Sequence, residues 1–254
     1  MAQVTQDVKG KIESAYVKDA PFDEAKKALE KDGYKIISLE ENAQLRIQEG
    51  KNAYISQNGN YTREGVVYIP KKGIFLTKNS PIMKNAEKAT QCHRNGNEFY
   101  INKEQIEKAL DKKYSVKIDN RSIPVSEFGN EEITDFAFGK TAKEYGQFLK
   151  DAGIKEIPFY LASLEDKPFA RQLWLCGLDS DGRSGFDGYD RSLNYDGGVR
   201  GVRDASAEGA KPQKILPYTM KDVRIAEKEI GKLSKILQPE QIANVKGLIE
   251  KLKQ

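Results

Sequence analysis

The sequence predicts an α+β protein, on three observations. Apolar residues recur at helical spacing in some stretches and at alternate positions in others, without the regular strand–helix alternation of a parallel sheet. A run of short β-like segments with turn residues occupies Asn52 to Met83. One further segment, Trp174 to Arg203, departs from the rest of the chain in composition.

The elements follow in chain order. Val4, Val8, Ile12 and Ala15 or Tyr16 recur at about helical spacing, and Pro21-Phe22-Asp23 opens a second helical pattern that stops at Asp32-Gly33, so the chain is expected to begin with two short helices. Tyr34 to Leu39 alternates like a strand and Glu41 to Gln48 reads as a helix before Gly50. The β-like run then has Tyr54-Ile55, a turn at Asn58-Gly59, Val66 to Ile69, a turn from Pro70 to Gly73, and Ile74 to Leu76. Phe99-Tyr100-Ile101 continues it, and Asn102 caps a helix from Lys103 to about Lys112. Strand, turn and strand are expected around Tyr114 to Ile118 and Ile123 to Val125. Ile133 to Phe138 alternates apolar and polar, Thr141 to Ala152 is an amphipathic helix ending at Gly153, and Ile157 to Leu161 is a strand candidate. Beyond a linker-like stretch, Val223, Ala226, Ile230, Leu233 and Leu237 mark one helix, and Pro239 starts another carrying Ile242, Val245, Ile249 and Leu252.

Composition narrows the function classes. With 254 residues the chain can bury a core without staples, and Cys92 and Cys176 read as reduced thiols. The net charge of +4 is small and its charges are interspersed, so no nucleic-acid partner is expected. His93 is the sole histidine, which excludes multi-histidine metal sites. Neither an 18-residue apolar run nor the pattern of a signal peptide is found, so a soluble chain without membrane insertion is expected, cytoplasmic by default.

The segment from Leu175 to Ala207 contains no Lys, Glu, Gln, Met or Trp. These types make up roughly 28% of the chain, so chance predicts about nine in the window. A Gly- and Asp-rich surface loop accounts for the residues present but not for the joint loss of Lys, Glu and Gln, which are common in loops. The five missing types share one property: no codon ending in C encodes them, whereas every residue present has such a codon. Codons with a fixed final C and randomised earlier positions would give this absence. The residues that remain are those of an antibody paratope: Tyr and Phe for area, Ser, Asn and Gly for adaptable hydrogen bonding, Arg and Asp for charge.

With its opening Leu173-Trp174-Leu175, its Gly/Asp/Ser/Tyr/Asn-rich middle and its closing Gly198-Val199-Arg200-Gly201-Val202-Arg203, the segment resembles the variable region of proteins diversified by diversity-generating retroelements. The resemblance covers about 30 residues well. It implies a C-type-lectin-like fold, a closing strand that locks the variable loops to the core, and a protein or glycan ligand. Four divisions of the chain are then expected: an N-terminal helical or α+β segment, 1–50; a C-type-lectin-like ligand-binding domain, 51–208, with its variable region at 174–203; a linker, 209–217; and a C-terminal helical hairpin, 218–254, through which a homo-oligomer could form. The two terminal helices depart from family members that end soon after the closing strand.

Spacing divides the variable region into frame and face. Trp174, Leu178, Leu193, Val199 and Val202 are expected as apolar anchors, with Arg183, Ser184, Arg191, Arg200 and Arg203 tying loops to carbonyls or acids. The expected contact set is Asp179, Ser180, Asp181, Gly182, Phe186, Asp187, Gly188, Tyr189, Asp190, Asn194, Tyr195 and Asp196. A non-enzymatic binding protein is therefore expected, with no catalytic residue and no obligatory cofactor.

Two alternatives are set beside it. The acidic run Asp179 to Asp190 could hold calcium in a calcium-dependent lectin or adhesin, although Arg183, Ser184 and Asp190 stand where an EF-hand would place an oxygen ligand, Gly and Glu. A hydrolase would need a site the sequence does not display; Cys92-His93 lacks any accompanying base or oxyanion motif, and adjacent residues seldom orient for proton transfer.

Overall fold

The computed structural model describes residues 2–9, 12–178, 184–189, 192–194 and 198–204. They belong to one compact unit, Met1–Ala205. The expected linker and C-terminal helical hairpin lie outside the described residues.

The chain opens with strands β1 (Val4–Val8) and β2 (Ile12–Val17), which pair antiparallel. This corrects the expectation of a first helix at Val4 to Tyr16. A spacing of four suits either a helix or one face of a strand, and pairing of β2 with a strand almost two hundred residues later decides for the strand. Helix α1 (Phe22–Lys31) follows as expected, burying Phe22, Ala25 and Leu29 on one stripe. Strand β3 is confined to Lys35–Ile36, because Ser38 already caps helix α2 (Leu39–Glu49). The Ser38 hydroxyl accepts from Glu41 N at 3.2 Å, and Ser38 N donates to the Glu41 carboxylate at 2.8 Å.

A short helix α3 (Tyr54–Gln57) replaces the strand expected at Tyr54-Ile55. Strands β4 (Asn60–Ile69) and β5 (Gly73–Thr77) form the expected antiparallel pair. Helices α4 (Pro81–Lys84) and α5 (Ala86–Arg94), strand β6 (Phe99–Tyr100) and helix α6 (Lys103–Ala109) come next. Strands β7 (Ser115–Ile118) and β8 (Ser122–Pro124) do not pair with each other: β7 joins β5, and β8 joins β9 (Glu156–Tyr160). Between them lie helices α7 (Glu132–Phe138) and α8 (Ala142–Asp151). The strand reading of Ile133 to Phe138 is thereby overturned, since Ile133, Ala137 and Phe138 also satisfy helical spacing and the Glu131 side chain accepts from Thr134 N at 2.9 Å at the helix start.

The described strands end with β10 (Phe169–Leu175), β11 (Phe186–Asp187) and β12 (Val199–Asp204). Along the main path the sheet runs β1-β2-β12-β4-β10-β11-β9-β8. Strand β12 is held in its centre, six residues paired to β2 from Val199↔Val17 to Asp204↔Ile12, with β3 along its later part and one parallel bridge to β4 at Val199↔Tyr61.

Alternation along β4 and β10 splits the core into two layers. Val66, Tyr68, Phe169, Leu173 and Leu175 meet α2, α7 and α8, whereas Tyr61, Val67, Ala170 and Trp174 meet α1, α4, α5 and α6. Helices thus cover both faces of the central strands, and the segment after β10 emerges at one end of this sandwich.

Candidate ligand-binding site

Between β10 and β12 the described residues join the sheet at β11, and apolar anchors flank it. Trp174 is 8% exposed and packs edge-on to Tyr61, with ring centroids 5.1 Å apart. Its indole covers Gly59 so closely that a Cβ there would lie 2.3 Å from Trp174 Nε1, so the Asn58-Gly59 turn needs its glycine for close approach. Leu178, Leu193, Val199 and Val202 are also buried. Arg200 is 2% exposed and donates from Nη1 to Asp7 Oδ1 at 2.8 Å and to Ser14 Oγ at 2.6 Å. Arg203 Nε donates to Glu13 Oε2 at 2.7 Å. Both arginines therefore tie β12 to the N-terminal hairpin through charge-assisted hydrogen bonds.

The intervening stretches are gripped by their main chain. Cys176 O accepts from Arg46 Nη2 at 2.9 Å and from Ser184 Oγ at 3.3 Å, while Cys176 N donates to Gly185 O at 2.9 Å. Leu178 N donates to Ser56 O at 2.7 Å. The Tyr68 hydroxyl donates to Gly188 O at 2.9 Å, and Gly188 N donates to Tyr160 O at 2.9 Å. The Tyr61 hydroxyl donates to Ser192 O at 3.0 Å. Leu193 is held at both ends: its N–H donates to His93 Nδ1 at 3.3 Å and its carbonyl accepts from Phe22 N at 2.8 Å. Gly198 O accepts from Tyr61 N at 3.0 Å. Apart from Ser184 and Gly185, the partners in these bonds lie outside 174–203, and the bonded atoms of Cys176, Leu178, Gly188, Ser192, Leu193 and Gly198 are ones every amino acid carries, except that proline has no N–H.

The expected contact set divides accordingly. Tyr189 is 54% exposed, with Arg171 Cζ 5.9 Å from its ring centroid. Asn194 is partly exposed and accepts from Arg94 Nε at 3.1 Å. Phe186 is corrected to a core residue, fully buried and stacked on Phe159 at 4.4 Å, because β11 directs it between β9 and α7. Asp187 and Gly188 are likewise buried. Asp187 Oδ1 accepts from Tyr189 N at 2.8 Å, so its carboxylate shapes the turn that presents Tyr189, and Gly188 sits against Tyr68. Asp179, Ser180, Asp181, Gly182, Arg183, Asp190, Arg191, Tyr195 and Asp196 lie outside the described residues, and with them most of the acidic run considered for calcium. Among the described residues no group of three or more His, Cys, Asp or Glu side chains is placed to share a metal ion.

Beside Tyr189 opens a shallow pocket of about 190 Å³ bounded by His93, Asn97, Glu98, Arg171 and Ser192, smaller than the several hundred Å³ usual for small-molecule sites. Arg171 clasps Glu98 through Nε at 3.1 Å and through Nη2. Burial opposes the charge on Arg171, but the Glu98 carboxylate outweighs it and raises the pKa. Burial pushes His93 below its ordinary value, keeping it neutral, and its Nδ1 lone pair is occupied by Leu193 N–H. His93 thus positions a loop; it is not presented as a base.

Sequence reasoning missed Arg46, Tyr61, Tyr68 and Arg171 as site-shaping residues. The side chains of Arg46, Tyr61 and Tyr68 lie 120 to 131 positions from the backbone atoms they hold, and only the sole histidine carried a signal worth following.

No family model matches the chain, and no curated protein matches it. A solved structure described as accommodation of massive sequence variation in Nanoarchaeota by the C-type lectin fold is similar to it, at 14% identity over 79% of this chain and 97% of that one, with a TM-score of 0.54. The chain is an α+β protein with a C-type lectin fold. At that identity the likeness is one of architecture; within this chain, the N-terminal strand pair joins the sheet through the pairing of β2 with β12. Among the described residues no helix is long and apolar enough to cross a membrane.

Proposed function

We propose that this protein binds a macromolecular ligand, protein or glycan, through a hypervariable face written into residues 174–203 by retroelement-driven diversification. The observation that carries the reading is the absence of Lys, Glu, Gln, Met and Trp from Leu175 to Ala207. The grip on the main chain supports it: Arg46, Tyr61, Tyr68 and His93 hold backbone atoms, so side chains between the anchors can change without loss of the frame. Tyr189 and Asn194 form the described part of the face, and Asp179, Ser180, Asp181, Gly182, Asp190, Tyr195 and Asp196 complete it. The role is non-enzymatic and needs no metal.

Sequencing this locus codon by codon across a natural population tests the proposal. Substitutions concentrated in the first two bases of the contact codons, with Trp174, Leu193, Val199 and Arg200 unchanged, are the expected result. Uniform low variation across the chain would return the segment to an ordinary Gly- and Asp-rich loop.

A further inference from the structure

We propose that the cleft between α1 and the α4–α5 pair is a second binding site, for a small organic anion with an apolar body. The cleft encloses about 720 Å³, within the range of small-molecule sites and far larger than the pocket beside Tyr189. Its floor is apolar. Met83, Ala86 and Cys92 line it, each only partly buried while packed against the core layer that contains Phe22, Leu29 and Ala89. Such half-covered apolar groups gain free energy when a ligand removes their remaining surface from water.

The rim is cationic. Lys26, Lys27, Lys84 and Lys88 line the cleft against two carboxylates, Asp23 and Glu87. Lys27 pairs with Glu87 at 3.1 Å and Lys26 with Glu30 at 2.8 Å, while Lys84 and Lys88 are exposed ammonium groups with no ion-pair partner among the described residues. An extended polyanion would have no use for the apolar floor, and a neutral apolar ligand none for the two free charges. A carboxylate or sulfonate on an aromatic or alkyl body uses both, the body on Met83 and Cys92 and the anion between Lys84 and Lys88.

The probe is 1-anilinonaphthalene-8-sulfonate, an apolar body bearing one sulfonate, added to the full chain and followed by fluorescence. One saturable site per chain is expected, weakening as salt rises from about 0.05 M to about 0.5 M. The exposed double substitution Lys84→Glu with Lys88→Glu should lower affinity about tenfold while leaving the circular dichroism and thermal midpoint as in the parent chain. Cys92→Phe, which fills the floor, should reduce the signal, and alkylation of Cys92 in a Cys176→Ala background should do the same without altering the core sequence at that position. Absence of saturable binding overturns the proposal. So does a loss of less than about threefold in the double lysine variant, which would place the dye elsewhere, on the Tyr189 face for instance.

Discussion

Replacing Phe186 by alanine, with Tyr189→Ala as its partner experiment, separates frame from face within one four-residue stretch. Phe186 is fully buried, stacked on Phe159 at 4.4 Å and tilted against Phe138 at 5.7 Å. Truncating a buried Phe costs about 3–5 kcal/mol, and the ring pairs place this site in the upper half of that range. A loss of about 4 kcal/mol in a unit of this size lowers the thermal midpoint by about 8–16 °C. Tyr189 projects more than half its surface into solvent, with Arg171 Cζ 5.9 Å from its ring centroid, so Tyr189→Ala should change stability by no more than about 1 kcal/mol. Thermal and urea unfolding followed by circular dichroism measure both. A Phe186→Ala midpoint within about 2 °C of the parent, with a larger fall for Tyr189→Ala, would refute the assignment of Phe186 to the core and of Tyr189 to the face.

Three further outcomes are expected. Because burial depresses the pKa of His93, the folded state binds fewer protons than the unfolded one; stability is full above the ordinary value of 6.5 and declines as pH falls below it, and His93→Gln should flatten that decline in midpoints taken from pH 7.5 to 5. Glu64, raised by burial, acts in the opposite sense, gaining stability as pH falls, and the difference between parent and His93→Gln removes its contribution. Asp7→Ala strands the guanidinium of Arg200 in the core and should cost about 3 kcal/mol in urea unfolding, with Asp7→Asn intermediate. Gly201→Ala places a Cβ 2.7 Å from Tyr34 Cβ and 3.2 Å from Leu29 Cδ2, so the Tyr34 segment between α1 and β3 must shift from β12 at a cost of about 1–3 kcal/mol, read as a lower melting midpoint.

Local patterns made α1, α2, the β4–β5 pair and α8 legible, since each buries a face whose period can be counted within ten residues. Val4 to Tyr16 reads locally as a helix because its decisive partner, β12, is remote in sequence. Ile133 to Phe138 failed for a different reason: six residues satisfy both periods, and the competing evidence was a cap at Glu131 that alternation does not reveal. In the site, Trp174, Leu193, Val199 and Val202 could be read as out of place in a solvated loop. Phe186 could not, because a paratope and a core both use phenylalanine, and a two-residue strand has no countable face. Arg46 and Tyr68 gave no signal, as ordinary members of α2 and β4 whose partners are backbone atoms.

Strand β12 is the last of the described strands and sits between β2 and β4. Until it arrives, a nascent chain carries two part-sheets, with β2 open along the edge that β12 later covers and β4 open at its Tyr61 end, since β5 already pairs with Gly65 to Ile69. A frameshift or stop codon arising anywhere in 174–198 therefore removes the piece that joins the halves. Under the proposed function, where that segment is rewritten, such products are left open to aggregation and proteolysis, whereas an in-frame product keeping the anchors can fold. The fold then acts as a proofreader of length and frame, indifferent to most of the letters between.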